Sequence, residues 1–227
     1  MKFCLIGGRS IANLNNFDLE NDVFKYLNIS DPNILFIPQA AYKDIDSSIN
    51  KFKNLTKVFK CQIKYLTDLE DSNIDKLFDW ADVIYVGGGS ATNLVRISNE
   101  SPLSKYINKY KTSDKLYMGV SAGAMLVSKY AMGDEYIYIN NYHIYNYQMV
   151  DCLGLLDIVI CPHYDHDGLD CFNDEVKKYN LNAYALEDDT SILIDEEKIK
   201  VFKMDKRKSV YWFDKENDYQ MIPLYGD

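Results

Sequence analysis

LYMGVSAGA, the sequence of residues 116–124, places one serine between a predicted strand and a predicted helix. Its first five residues are mostly apolar and of strand length, and the small residues after Ser121 favour a helix. Gly119 and Gly123 leave the turn without side-chain bulk, so that the strand and the helix can pack closely. A G-x-S-x-G motif at such a turn predicts that Ser121 projects above the carboxyl edge of a sheet as a nucleophile. A tight turn with an ordinary surface serine is the structural alternative.

Upstream of this stretch, short apolar runs alternate with segments of helical periodicity. Strands are predicted over residues 2–7, 34–38, 62–66, 83–86 and 116–120, and helices over 16–28, 43–60, 72–80, 91–97 and 103–111. The alternation predicts an α/β fold in three layers, in which helices cover both faces of a doubly wound, mostly parallel sheet.

The pattern changes in the second half of the chain. Beyond residue 134, short strands rich in Tyr, Ile and Val follow one another, with one helix near residues 174–179. A charged turn at 195–198 between two apolar runs predicts a β-hairpin over 192–202, which forms a C-terminal edge of the fold. Since no Gly/Ser-rich or Pro-rich linker divides the chain, we expect a single domain over residues 1–227.

The charge balance and the cysteines restrict the classes of partner. The 227 residues include 25 Lys and Arg against 34 Asp and Glu, a formal net charge of −9. That balance argues against nucleic acid and anionic membranes as partners. No apolar run approaches the ~20 residues of a membrane helix. The five Cys form no C-x-x-C pair, as is typical of a reducing compartment. We therefore expect a cytoplasmic protein without a cofactor, and the sequence leaves its oligomeric state open.

A glycine-rich loop is expected beside the serine turn. Gly87-Gly88-Gly89-Ser90 separates the strand over 83–86 from the next helix. Loops at adjacent carboxyl ends of an open parallel sheet converge on one crevice. Gly88 or Gly89 could then donate one N–H to an oxyanion, and Ala122, at a helix N-terminus, a second. A dinucleotide site is disfavoured, because neither G-x-G-x-x-G nor a P-loop lysine is present.

A serine nucleophile requires a base, and the chain has three histidines, His143, His163 and His166. His163 follows a strand-like run and so lies at a carboxyl end, where the base is needed. His143 lies in a Tyr- and Asn-rich stretch and is expected to be a packing or surface residue. His166 could join His163, Asp165 and Asp167 around a metal ion. Because their spacing matches no standard metal motif, we predict no metal site.

The third member of a catalytic triad is a carboxylate that orients the histidine. Glu187 follows the strand-like run 183–186 and is the predicted acid. Asp188 and Asp189 stand beside it and are expected to form a charged turn. Asp134 and Glu135, after the helix that follows Ser121, are the alternative acids.

Several of these segments together resemble peptidase family S51. They are VGGGSAT at 86–92, GVSAGA at 119–124, PHY at 162–164, FIP at 36–38 and ALED at 185–188. The resemblance covers most of the chain. It implies a fold like that of class I glutamine amidotransferases and hydrolysis of short peptides by a Ser-His-acid triad without a metal.

The resemblance also assigns roles to individual residues. It implies that Ser121 is the nucleophile, that His163 is the general base and later the general acid, and that Glu187 orients His163. Gly88 and Ala122 would supply the oxyanion N–H groups. The order Ser, His, acid differs from the Ser, acid, His order of α/β-hydrolases, which argues against an esterase of that fold.

The segment after His163 departs from the family pattern. Family members specific for an N-terminal aspartate hold its carboxylate with an Arg in this region. In this chain the region contains Asp165, Asp167 and Asp170 instead. The first cations after His163 are Lys177 and Lys178. Lys177 is the candidate substrate-binding residue, although it lacks the bidentate fork of Arg. Because like charges repel in a partly dehydrated cleft, we predict no strict preference for an N-terminal aspartate.

These observations predict a serine-type dipeptidase or small-amide hydrolase that acts through an acyl-enzyme. Its substrate would be a short peptide or an amino-acid derivative. Two alternatives are a non-catalytic ligand-binding or regulatory protein on the same scaffold, and an esterase that uses the same serine turn.

Overall fold

In the computed structural model, the described residues are 1–132, 135–139, 142–146, 149–166, 171–196 and 198–226; the side chains of 135–139, 142–146 and 171 are not among them. The strands in these ranges are β1 (Lys2–Ile6), β2 (Asn33–Ile37), β3 (Gln62–Tyr65), β4 (Val83–Val86), β5 (Leu116–Val120), β6 (Tyr130–Met132), β7 (Glu135–Ile139), β8 (Tyr142–Asn146), β9 (Met149–Asp151), β10 (Ile158–Cys161), β11 (Asn182–Leu186), β12 (Thr190–Asp195), β13 (Lys198–Lys203), β14 (Val210–Asp214) and β15 (Gln220–Leu224). The helices are α1 (Asp18–Tyr26), α2 (Ile45–Phe52), α3 (Leu55–Val58), α4 (Ile74–Trp80), α5 (Ala91–Glu100), α6 (Leu103–Lys109), α7 (Ala122–Leu126) and α8 (Cys171–Lys178).

The central sheet has the strand order β13-β12-β1-β5-β4-β2-β3. The run from β1 to β3 is parallel, and the hairpin β12–β13 adds two antiparallel strands beside β1. The mostly parallel sheet and the hairpin edge predicted from the sequence are confirmed. Because β1, β4 and β5 are neighbours, their carboxyl ends and the loops that follow lie side by side.

Helices cover both faces of this sheet. Along β1, Cys4 and Ile6 face a core formed with α1, α2 and α3, whereas Phe3 and Leu5 face a core formed with α4 to α7. The alternation is the ordinary period of two of a strand that is buried on both sides.

A second sheet differs from the single sheet that the sequence predicts. Its order is β15-β14-β11-β10-β6-β9, and β7 and β8 form a separate two-stranded antiparallel sheet. One face of β10 and β11 joins the core of the central sheet, and the other packs on α8 through Phe172 and Val176. The strands of this second sheet pair with one another and not with the edge strands β13 and β3 of the central sheet.

The long helix predicted over 43–60 is two helices, α2 and α3. Lys53 and Asn54 form the break, where the hydroxyl of Thr56 donates to the carbonyl of Lys53 at 2.8 Å. Phe52 and Leu55, on either side of the break, are both buried in the same core. In the described part of the chain, no helix combines the length and apolar character that crossing a membrane requires.

Candidate active site

Ser121 lies at the sharp turn between β5 and α7. Its backbone has φ 52° and ψ −114°, a conformation that is costly for a residue with a side chain and that is typical of a nucleophile elbow. Its N–H donates to the carbonyl of Ile6 at 3.0 Å, and its carbonyl accepts from Ala124 and Met125. A Cβ on Gly119 would overlap the carbonyl of Gly123, so this close passage requires glycine.

His163 follows β10 and reaches Ser121 across the edge of the central sheet. Its Nε2 is 2.9 Å from Ser121 Oγ, and its side chain is 31% exposed, which leaves the pair open to a substrate. The residue has φ 55°, and its N–H donates to the carbonyl of Gly7 at 3.2 Å. The predicted nucleophile and base are therefore within hydrogen-bond distance of each other.

Asp188 is the carboxylate that contacts His163. Its Oδ1 is 2.6 Å from His163 Nδ1, and its side chain is only 5% exposed. The N–H of Asp188 donates to Asp165 Oδ1 at 2.9 Å, and Lys208 pairs with the other oxygen of Asp165. Burial alone would raise the pKa of Asp188, but the hydrogen bond and charge of His163, followed by those of His166, outweigh burial and lower it.

The structure therefore corrects the predicted acid, Glu187. Its Oε2 accepts from the N–H of Ser209 at 3.0 Å, and its Oε1 accepts from the hydroxyl of Tyr211 at 3.4 Å. Glu187 faces β14, whereas Asp188, in the turn that follows β11, faces His163. Asp189 is also turned inward, and its two oxygens accept from Ser10 N and Asn13 Nδ2.

Lys177 is not brought to this site, and the two alternative acids cannot be placed. Asp134 lies outside the described residues, as does the side chain of Glu135. Lys177 is exposed on α8 and does not line the pocket beside Ser121. Asp165, expected to face a substrate, is held by Asp188 and Lys208 instead, and Asp167 and Asp170 lie outside the described residues.

Gly7 and Gly8 are site residues that the motif search missed. The carbonyls of Ile6, Gly7 and Gly8 accept hydrogen bonds from the N–H groups of Ser121, His163 and Asp189, respectively. A Cβ on Gly8 would overlap both Asp188 Oδ1 and the ring of His163. A glycine pair directly after a buried strand is the signal that could have identified them.

Gly88 and Ala122, the two predicted oxyanion donors, both adjoin Ser121. Ala122 is the first residue of α7, where N–H groups have no acceptor within the helix. A Cβ on Gly88 would be 3.2 Å from Ser121 Cβ, so the backbone of the glycine loop lies directly against the serine. Ser90 begins the next helix, and its Oγ accepts from Asn93 N at 3.2 Å.

The family model of peptidase family S51 matches residues 3–202. This chain belongs to peptidase family S51. It is therefore a serine-type peptidase. It is 24% identical over 191 residues to the uncharacterized peptidase YgaJ of Bacillus subtilis (strain 168), a match over 82% of this chain and 79% of that protein.

Two solved structures share the fold of this S51 peptidase. A peptidase from an acI-B1 Actinobacterium has a TM-score of 0.73 at 18% identity, over 99% of this chain and 94% of that one. A candidate peptidase E from Listeria monocytogenes EGD-e has a TM-score of 0.63 at 20% identity, over 90% and 98%. Both matches support the mixed α/β fold with two sheets.

His166 is a second histidine on the same carboxylate of the S51 peptidase. Its Nε2 is 2.9 Å from Asp188 Oδ2, and its ring centroid is 4.9 Å from that of His163. Among the described residues, His163, His166 and Asp188 form the group whose donor atoms could hold a metal ion, since these atoms lie within 4.8 Å of one another. The acid of this group is Asp188; Asp165 and Asp167 were the acids considered from the sequence, which predicted no metal site.

A pocket of about 440 Å³ opens beside Ser121 and His163, and we call it the Ser121 pocket. Its lining is largely apolar and aromatic, with a few charged and polar residues: Gly8, Arg9, Leu14, Phe17, Phe36, Ala41, Asp44, Ser48, Lys51, Phe52, Tyr85, Gly87, Gly88, Gly89, Val120, Ser121 and His163. The sequence analysis placed no cation here, whereas Arg9 and Lys51 both line the pocket, together with the acidic Asp44.

Arg9 is part of a buried network in the wall of the Ser121 pocket. Its Nη2 pairs with Oε1 of the fully buried Glu20, which also accepts from the hydroxyl of Tyr85 at 2.6 Å. Burial opposes the charged form of Arg9, but the Glu20 carboxylate raises the pKa of the guanidinium. Burial, and then the charge of Glu20, raise the pKa of the Tyr85 phenol well above its usual range.

Proposed function

We propose that this protein hydrolyses short peptides, dipeptides among them, through an acyl-enzyme on Ser121, with His163 as the proton carrier and Asp188 as the acid of the triad. The observation that carries the proposal is the continuous pair of contacts, 2.9 Å from Ser121 Oγ to His163 Nε2 and 2.6 Å from His163 Nδ1 to Asp188 Oδ1. This arrangement matches the roles of a Ser-His-Asp triad.

In the first half of the reaction, Ser121 Oγ forms a bond to the carbonyl carbon and its proton moves to His163 Nε2. His163 Nδ1–H donates to Asp188 Oδ1, whose negative charge stabilises the imidazolium. When the tetrahedral intermediate collapses, the C–N bond breaks and the leaving amine takes the proton from Nε2. The acyl group remains on Ser121 as an ester.

In the second half, water attacks the ester carbon and gives a proton to His163 Nε2. Collapse returns that proton to Ser121 Oγ and releases the acid product. In both halves of the reaction, the N–H groups of Gly88 and Ala122 would stabilise the negative charge on the carbonyl oxygen of the tetrahedral intermediate. Preorganised donors of this kind cost little reorganisation, and the loss of one typically lowers kcat by about 10²–10³-fold.

The Ser121 pocket supports a small substrate. Its volume of about 440 Å³ lies near the lower end of the range of small-molecule sites, roughly 300–1,000 Å³. Asp44 and Lys51 at its rim can pair with the amino and carboxyl termini of a short peptide. We further infer that the central sheet has the class I glutamine-amidotransferase arrangement, supported by its parallel strands and the elbow after β5, and that residues 1–227 act as one domain.

Covalent labelling tests the proposal directly. A fluorophosphonate should label wild-type protein at Ser121, and Ser121→Ala should remove both the label and dipeptide turnover, by on the order of 10⁴-fold or more. The matched control is Ser128→Ala, which changes a serine just beyond α7 that bonds only backbone carbonyls. Absence of labelling at Ser121 would favour a ligand-binding protein, and labelling with ester but no peptide turnover would favour an esterase.

A further inference from the structure

The walls of the Ser121 pocket are a rigid group of aromatic rings. Phe36 stacks on Phe52 at 3.9 Å, Phe52 lies 4.6 Å from Tyr85, and Phe17 meets Phe52 edge to face at 5.8 Å. All four rings are nearly buried. Since stacked and edge-to-face geometries are the ones that aromatic groups prefer, these walls are preformed for another flat ring.

Among the described residues that line this pocket, Arg9 has a buried side-chain donor without a hydrogen-bond partner. Its side chain is 8% exposed and its Cζ lies 5.2 Å from the centroid of the Phe17 ring. Nη2 is paired with Glu20, but Nη1 is buried and has no hydrogen-bond partner among the described residues. A buried N–H without an acceptor is costly, so a ligand that brings an acceptor to Nη1 would gain affinity.

The charges around Arg9 disfavour a carboxylate as that ligand. Glu20 is fully buried and already balances the charge of Arg9. A second carboxylate would lose its hydration among aromatic walls and meet the charge of Glu20. Lys51 is exposed at the rim, where solvent and salt screen its charge. A neutral oxygen needs only the spare N–H.

We propose that the Ser121 pocket binds an aromatic side chain of a substrate residue that flanks the scissile bond, and that Arg9 favours tyrosine by donating from Nη1 to the phenol oxygen. This inference rests on the proposed peptidase function and names the substrate class of that site. The aromatic walls provide the preference for a ring, and Arg9 provides the preference for its hydroxyl.

The first experiment compares substrates on wild-type protein. kcat/KM is measured for Tyr-Leu, Phe-Leu and Asp-Leu and for the reversed series Leu-Tyr, Leu-Phe and Leu-Asp. In at least one series, the tyrosyl peptide should exceed the phenylalanyl peptide several-fold and the aspartyl peptide by about tenfold or more, as expected when a site hydrogen-bonds a substrate hydroxyl. An aspartyl peptide that equals or exceeds the aromatic ones in both series overturns the proposal.

Two pairs of variants separate the parts of the proposal. Arg9→Lys keeps a cation beside Glu20 but removes the second N–H, so the Tyr-to-Phe ratio should fall towards one; Arg96→Lys, at the exposed pair with Glu100, should leave it unchanged. Ser48→Phe should fill the pocket and lower aromatic turnover, whereas Ser47→Phe, on the same helix but outside the lining, should not. An unchanged Tyr-to-Phe ratio in Arg9→Lys overturns the role of Arg9.

Binding distinguishes failure of this inference from failure of the proposed function. Calorimetry on Ser121→Ala protein measures Kd for the same peptides without turnover. Tighter binding of the tyrosyl peptide, by about tenfold over the aspartyl one, supports the pocket even if wild-type protein cleaves nothing, an outcome that would reject only the peptidase proposal. Turnover of peptides with equal Kd for all three would reject the aromatic pocket and leave the peptidase proposal standing.

Discussion

Glu187 and Asp188 are neighbouring carboxylates with opposite orientations, so their amides should have different effects. Asp188→Asn removes the charge that stabilises the imidazolium of His163 and should lower kcat by on the order of 10⁴-fold. Glu187→Gln keeps a group that can accept from Ser209 N and should leave kcat nearly unchanged. Peptide turnover under identical conditions checks both variants, and a larger loss for Glu187→Gln would restore Glu187 as the acid.

Gly8→Ala tests whether the contact between Asp188 and His163 requires a residue without a side chain at position 8. A methyl group at this position overlaps Asp188 Oδ1 and the His163 ring, so the pair must separate or the backbone must move. Because a misplacement of about 1 Å can cost roughly 10²-fold in rate, kcat should fall at least that far.

Gly154→Ala is the control for the effect of the added methyl on turnover. Gly154 has φ 60° and open space around the added Cβ, so alanine strains the backbone there without touching the site. It should lower the melting temperature and leave kcat intact. Equal kcat for the two alanine variants would contradict the fit described for Gly8.

The order of residues along the chain predicts that Ser121 and His163 lie together, as they do, but not which acid contacts His163. Each of the first two follows a buried strand, and such positions converge in a parallel sheet. Glu187, Asp188 and Asp189 all follow β11, and the direction of each depends on hydrogen bonds to distant partners, Ser209 for Glu187 and Asp165 for Asp188. A local pattern contains no information about those partners.

At the scale of elements, Ser90 connects the glycine loop to α5. Its hydroxyl is the helix cap, so Ser90→Ala should lower the free energy of unfolding by about 1 kcal/mol. The control Ser104→Ala, within α6, replaces a serine by a better helix former and should cost nothing. Urea unfolding measures both variants. Equal stability of the two would mean that the cap contributes nothing.

Elements with strong periodicity were predictable, and those defined by pairing were not. The strands β1, β2, β4 and β5 are short, apolar and bounded by turns, and each is present within one residue or so of its predicted bounds. The break between α2 and α3 has no Pro or Gly to mark it. The second sheet depends on which edges are already occupied, a property of the assembled fold rather than of any segment.

For the whole molecule, lowered carboxyl pKa values predict acid sensitivity. Burial would raise the pKa of Asp165, but Lys208 and the N–H of Asp188 lower it, and the pKa of Asp188 is also lowered. A folded-state pKa below the unfolded value, about 3.9 for Asp, contributes stability that is fully present above about pH 4 and is lost as pH falls through the folded-state pKa.

Asp165→Asn should therefore reduce the loss of stability between pH 7 and pH 3. The measurement is the urea midpoint of wild-type protein and variant at both pH values. Asp46→Asn, an exposed change on α2, is the control and should show the wild-type difference. An identical pH difference in Asp165→Asn would show that this carboxyl contributes nothing to acid sensitivity.

Arg9 shows why the proposed specificity could not be predicted from the sequence. Arg9 lies in the loop after β1, and its role depends on Glu20 of α1 and on Tyr85 of β4. No spacing motif joins these three residues. The sequence search looked for cations after His163, whereas the cations of the pocket come from the loop after β1 and from α2.

The carbonyls of Ile6, Gly7 and Gly8 also bear on how the protein is made. Synthesis runs from the N-terminus, so these three residues are made before Asp188, and domains generally fold as units during synthesis. A nascent chain that has not yet reached Asp188 has a serine and a histidine but no complete proton relay. On the proposed triad, the relay is therefore complete only after residue 188 has been added to the growing chain.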